Sequence, residues 1–100
     1  MDFEVVLTRR ASDDLVEIAK YIAQDDPALA ESFTDELIHE TLPLSAFPQM
    51  GRVVPELRQG SIRELIRNPY RIIYRIRETH HLIEVLRFWH GARGTPEITL

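Results

Sequence analysis

Phe3, Val5 and Leu7 alternate with Glu4 and Val6 at the start of the chain, the period-two pattern of a short strand over about residues 2–7. Thr8 ends it with a side chain suited to capping a helix. From Arg9 to Gln24, Ala11, Leu15, Ile18 and Ile22 recur at helical spacing, while Asp13, Asp14, Glu17 and Lys20 fall elsewhere. This predicts an amphipathic helix with one face in a core and the other in water.

Asp26-Pro27 predicts a second helix start, since an Asp cap followed by proline at the first helical position satisfies a helix end and fixes φ together. This helix is expected from Pro27 to about Thr41, with a buried stripe of Ala30, Phe33, Leu37 and Ile38 that continues through Leu44 to Phe47. Pro43 must kink or break its last turns. Pro48-Gln49-Met50-Gly51 is a stop, and Pro55 falls in an irregular connection.

After Gly60, three runs rich in β-formers follow: Ile62–Arg67, Tyr70–Arg77 and Leu82–His90. Asn68-Pro69 and the residues 78–81 are short enough to make them hairpins of an antiparallel meander. In the middle run, alternation sends Tyr70, Ile72, Tyr74 and Ile76 to one face and Arg71, Ile73, Arg75 and Arg77 to the other. Arg63 and Arg67 share a side of the preceding strand, and Arg87 interrupts the apolar residues of the following one. The expected fold is α+β in the order β-α-α-β-β-β, with two N-terminal helices on one face of a mostly antiparallel sheet and arginines on the other. Leu15, Ile18, Phe33, Leu37, Ile72, Tyr74 and Leu86 are expected in one core between helices and sheet.

At 100 residues and 44% hydrophobic content the chain is expected to form one domain over residues 1–100 without staples. It has no cysteine, which excludes disulfides and thiolate metal or redox sites. No apolar run approaches the roughly 18 residues a membrane helix needs, so a cytoplasmic protein without membrane contact is the expectation.

The net charge of −4 conceals a division. Residues 1–50 hold 11 acids and three bases, net −8, and residues 51–100 hold nine bases and five acids, net +4. Eleven of the twelve basic residues are arginine, whose planar fork matches carboxylate and phosphate. The second half therefore suits an anionic partner, or else balances the first half within one molecule.

In sequence order, "ASDDLVEIAKYIA", "FPQMGR", "PEL", "IREL", "NPYRIIYRI" and "IEVLRFWHGAR" resemble the RelE/ParE toxin superfamily over nearly the whole chain, Phe3 to Arg93. The resemblance implies the toxin of a type II toxin–antitoxin pair, neutralised in a hetero-oligomer by a cognate antitoxin whose C-terminal segment wraps it. One branch of the superfamily poisons DNA gyrase, and the other cleaves mRNA in the ribosomal A site. The wording of the motifs is closer to the ParE-type branch.

A metal-independent ribonuclease must activate a 2′-hydroxyl with a side-chain base and stabilise phosphate charge with cations. The lysines that RelE nucleases place before the YR motif are replaced here by Ile62, Arg63, Glu64 and Leu65. A second nuclease subtype uses a glutamate, an arginine and a histidine, and the counterparts by motif position are Glu56, Arg71 and His90, as base, phosphate clamp and acid. Each also has a plain structural reading: a solvated loop carboxylate, a scaffold or antitoxin ion pair, and a strand-end histidine ordering the next turn.

Arg63, Arg67, Arg71, Arg75, Arg77 and Arg87 are expected to share a sheet side that receives an acidic antitoxin segment. Trp89 and Arg93 are candidates for contact with the target, gyrase or, in the alternative, ribosome and mRNA; Trp89 could equally pack the core or tail. His80 and His81 are expected to face solvent in a hairpin, with no metal site completed around them. No G-x-S-x-G turn or phosphate loop is present, and no cofactor is expected. A toxin-like remnant that only binds antitoxin and represses its operon is also compatible with the sequence.

Overall fold

The computed structural model describes residues 2–100. Strand β1 (Glu4–Leu7) leads into helix α1 (Arg9–Ala23), α2 (Pro27–Thr41) and a 3-10 turn at Leu42–Ser45; then come β2 (Arg52–Val53), β3 (Ile62–Arg67), β4 (Tyr70–Arg77) and β5 (Leu82–His90). The caps read from the sequence are in place. Thr8 Oγ1 accepts from the Ala11 N–H at 3.2 Å, and Asp26 Oδ1 from the Leu29 N–H at 3.1 Å.

The five strands lie in the order β1-β5-β4-β3-β2, antiparallel except for the parallel pair β1 and β5. This is the expected α+β arrangement with two helices on a mostly antiparallel sheet, with one strand more than expected. The extra strand is β2, two residues between Gly51 and Pro55 pairing Arg52 with Glu64 and Val53 with Arg63, too short to leave a periodic signal.

Ile18, Leu37, Ile72, Val85 and Phe88 form the core under the helices, with Leu15 and Phe33 packed against it. Leu44, Tyr74, Ile76 and Ile83 extend that face towards the 3-10 turn. The opposite face differs from the expectation of an arginine surface. Val54, Ile62, Ile73, Leu86 and Trp89 build a second core there, covered by Leu57 and by Ile98 of the C-terminal tail.

Leu86 was expected under the helices and lies in this second core instead. The register shows why: Ile73 pairs with Arg87 and Tyr74 with Val85, so Leu86 is the extra residue of a β-bulge. One unpaired residue inverts the phase of everything after it, which puts Trp89 on the second face and Phe88 and His90 on the helix face.

Phe47 also departs from the expected buried stripe and is 65% exposed. Pro43 stops α2 at Thr41 and tightens the next turn into 3-10 geometry, so the helical phase that buries Leu37 and Leu44 does not reach Phe47. Among the described residues no helix is long and apolar enough to cross a membrane.

Candidate functional site

Arg71 projects from β4 onto the second face, paired across the sheet with Ile66 on β3 and Trp89 on β5. Its guanidinium is held from two sides. Nε donates to Glu64 Oε1 at 2.6 Å, and Nη1 and Nη2 form a fork with Glu56 at 2.9 and 2.8 Å. The Glu64 side chain is wholly buried, and Arg52 Nε donates to its other oxygen at 2.6 Å. Two arginines and two carboxylates thus close a network of zero net charge.

The hydrogen bonds from Arg71 hold the Glu56 carboxyl down to about 2, and Glu56 with Glu64 raises the Arg71 guanidinium in return. A carboxylate stabilised in this way is a poor general base, and an arginine with all three nitrogens engaged offers no free fork to a phosphate.

His90 lies on the other side of the sheet. It pairs with Tyr70, whose ring it meets edge-on at 5.2 Å, and its Nδ1 accepts from the Ala92 N–H at 3.0 Å, ordering the turn after β5. That bond leaves Nε2 as the protonated nitrogen of the neutral ring. His90 borders a cleft of about 200 Å³ between α1 and the end of β5, with Asp14, Glu17, Tyr21, Tyr70 and Arg93 also on its walls. Burial raises the Tyr70 hydroxyl above its ordinary value. The three candidate nuclease residues are therefore not one constellation: Glu56 and Arg71 are joined, and the sheet separates them from His90.

The six arginines do not share one side. Arg63 pairs across with Tyr74 and Arg67 with Tyr70, which sets both on the helix face; there Arg67 binds Glu36 and Glu40 of α2, and Arg63 donates to the Gly60 and Gly51 carbonyls. Antiparallel partners project to the same face, so residues opposite tyrosines of the core must join them. Arg71, Arg75, Arg77 and Arg87 do lie on the second face.

Arg87 is buried, forked onto Asp14 at 2.8 and 2.9 Å, and the Asp14 carboxylate raises it further. Asp14 also accepts the Phe88 N–H at 3.0 Å, where β5 has outrun β1. Arg75 and Arg77 are less committed, approaching the same Glu84 oxygen at only 3.9 and 3.7 Å.

Trp89 is 2% exposed and so is core, not contact surface. Its ring is flanked by the guanidinium carbons of Arg87 at 4.9 Å and Arg93 at 4.0 Å, and its Nε1 donates to the Gly94 carbonyl at 3.0 Å, anchoring the tail. Arg93 remains exposed. Of the hairpin histidines, His80 is exposed as expected, whereas His81 is half-buried and stacks on Phe3 at 4.1 Å. Among the described residues no three His, Cys, Asp or Glu side chains stand together as metal ligands.

Sequence reasoning left out Asp14, which reads as one more acid on the wet face of α1, and Arg52, whose pairing depends on the unforeseen β2.

Two helices back a mostly antiparallel sheet whose second face carries the Arg52–Glu64–Arg71–Glu56 network and the buried Arg87–Asp14 pair. The chain belongs to the ParE toxin family of type II toxin–antitoxin (parDE) systems, whose model matches residues 5–94. A curated relative, Toxin RelE2 of Caulobacter vibrioides, is 34% identical over 91 residues, covering 90% of this chain and 97% of the relative. The fold is shared with the chromosomal ParDE system of P. aeruginosa, at TM-score 0.71 and 23% identity, over 88% of this chain and 95% of that one. It is also shared with the RelBE2 toxin–antitoxin complex of Mycobacterium tuberculosis, at TM-score 0.60 and 23% identity, over 90% and 99%.

Proposed function

We propose that this type II toxin inhibits growth by binding DNA gyrase rather than by chemistry of its own, and that a cognate antitoxin neutralises it. The observation that carries this reading is the closed Glu56–Arg71–Glu64 network, cut off by the sheet from His90. A nuclease built on those residues needs a free base, a free phosphate clamp and an acid around one phosphodiester. The ParE family match supports the same branch.

Neutralisation is by an acidic antitoxin segment that meets Arg75 and Arg77, two cations sharing one carboxylate. Contact with gyrase falls to Arg93 and the rim of the cleft beside it, since Trp89 is enclosed.

Two activities measured on one preparation test the proposal. Purified toxin inhibits gyrase supercoiling and leaves ribosome-bound mRNA intact. A-site cleavage with normal supercoiling, abolished by His90→Ala, makes the chain a ribosome-dependent endonuclease instead. Absence of both activities, with no growth inhibition on expression alone, leaves an antitoxin-binding co-repressor.

A further inference from the structure

Between α2 and β2 the chain turns apolar side chains outward. Leu42 is 54% exposed, Phe47 65% and Met50 51%. Pro43, Phe47, Pro48, Gln49 and Met50 line an open depression of about 600 Å³. Single exposed apolar residues are ordinary, but Phe47 and Met50 on the walls of one concavity, with Leu42 directly before its first lining residue Pro43, mark a contact surface.

The segment is held in this arrangement from beneath. The Tyr74 hydroxyl donates to the Pro48 carbonyl at 2.7 Å and accepts from the Gly51 N–H at 3.0 Å, while Arg63 Nη1 donates to the Gly51 carbonyl at 2.9 Å. A side chain at position 51 would begin 2.6 Å from the Glu64 carbonyl oxygen, so glycine alone lets the loop lie this close to the sheet. Leu44 and Tyr74 are buried in the core, and Phe47 is not packed with them. A surface ordered in advance loses little entropy when it is covered, and aromatic and methionine side chains are the types that anchor such contacts.

Charge on the approach to the depression says what covers it. Glu31, Asp35 and Leu42 are four and seven residues apart and so share one crest of the α2–turn segment. Glu36 and Glu40, further round the helix, are occupied by Arg67, whereas Glu31 and Asp35 form no ion pair among the described residues. Among the described residues no cation lines the depression. A second copy docking two-fold would set these acidic crests against each other, which like-charge repulsion opposes.

We propose that the Leu42–Met50 segment and the Glu31–Asp35 crest form a docking surface for an amphipathic, basic segment of a partner protein, its bulky apolar side chains in the depression and its lysines or arginines along α2. The chemistry is opposite to that of Arg75 and Arg77, so this surface takes a different segment from the acidic one that binds there. It does not depend on which cellular target the toxin has.

The test uses the whole protein and two synthetic helical peptides, one of leucine and lysine and one of leucine and glutamate. The leucine–lysine peptide is expected to bind saturably, moving the amide signals of Glu31, Asp35, Leu42, Phe47 and Met50. Phe47→Ser, and separately Glu31→Gln with Asp35→Asn, each weaken it about tenfold or more, and Asp13→Asn on α1 does not. All substituted residues are exposed, so the variants keep the fold. Equal binding of both peptides, indifference to Phe47→Ser, or a wild-type dimer that Phe47→Ser dissolves overturns the proposal.

Discussion

Replacing Asp14 by asparagine removes the charge opposite Arg87 and leaves the shape of the site. The Asp14 and Arg87 side chains are 13% and 5% exposed. In the native protein the carboxylate accepts three bonds, from Arg87 Nε at 2.8 Å, Arg87 Nη2 at 2.9 Å and the Phe88 N–H at 3.0 Å. Asparagine has one oxygen for those three donors and points its own N–H2 at one of them, so a buried cation loses its counter-charge and at least one donor goes unpaired. Breaking a buried pair from one side costs about 3–5 kcal/mol. The retained bond from Arg87 Nη1 to the Glu97 carbonyl, at 2.7 Å, argues for the lower end. A loss of about 3 kcal/mol is roughly a fifth to three-fifths of the stability of an ordinary domain of this size, and lowers Tm by about 12–24 °C. Urea denaturation of Asp14→Asn, Arg87→Met and the double variant measures it. The double variant should lose clearly less than the sum of the singles, because removing both charges strands neither. A loss below about 1 kcal/mol in Asp14→Asn, or strict additivity, shows that the pair does not hold α1 to β5.

Two further outcomes follow from the second face. Glu56 is held at about 2 in the folded protein against an ordinary value of 4.5; its folded value is depressed, so its contribution is complete above about pH 5 and fades as pH falls from 4.5 towards 2. The stability gap between wild type and Glu56→Gln is therefore expected to be constant near neutrality and to close in acid, and a gap unchanged at about pH 2.5 refutes the pairing. Removing residues 94–100 deletes Ile98 from the second core together with the bonds from Trp89 to Gly94 and from Arg87 to Glu97, so it should cost about 2–4 kcal/mol by denaturation; a truncated protein as stable as the parent shows that the tail is not part of the fold.

The helices were legible because their signals are local. Thr8 and Asp26 cap within three residues of themselves, and the period that buries Ala11, Ile18 and Leu37 lies inside each helix. The sheet was legible in its strands but not in its faces. Alternation counts positions along one strand and cannot register the extra residue at Leu86, which decides where Arg87, Trp89 and His90 go. The arginines were visible as a composition, yet their partners Asp14, Glu56 and Glu64 come from a helix, a loop and a neighbouring strand. Which of two chemically equivalent cations is left free depends on those distant choices. Phe47 was misplaced for a third reason, since the helical phase was carried across a proline that ends it.

The parallel pairing of β1 with β5 has a consequence in time. Its register joins Glu4 to Leu82 and Leu7 to Val85, and Thr8 reaches the Val85 carbonyl across 77 positions of sequence. β1 thus has no neighbour in the sheet until β5 follows it, and contacts so distant along the chain form slowly. The five-stranded sheet, and with it every surface the sheet carries, is therefore complete only after β5 has been synthesised.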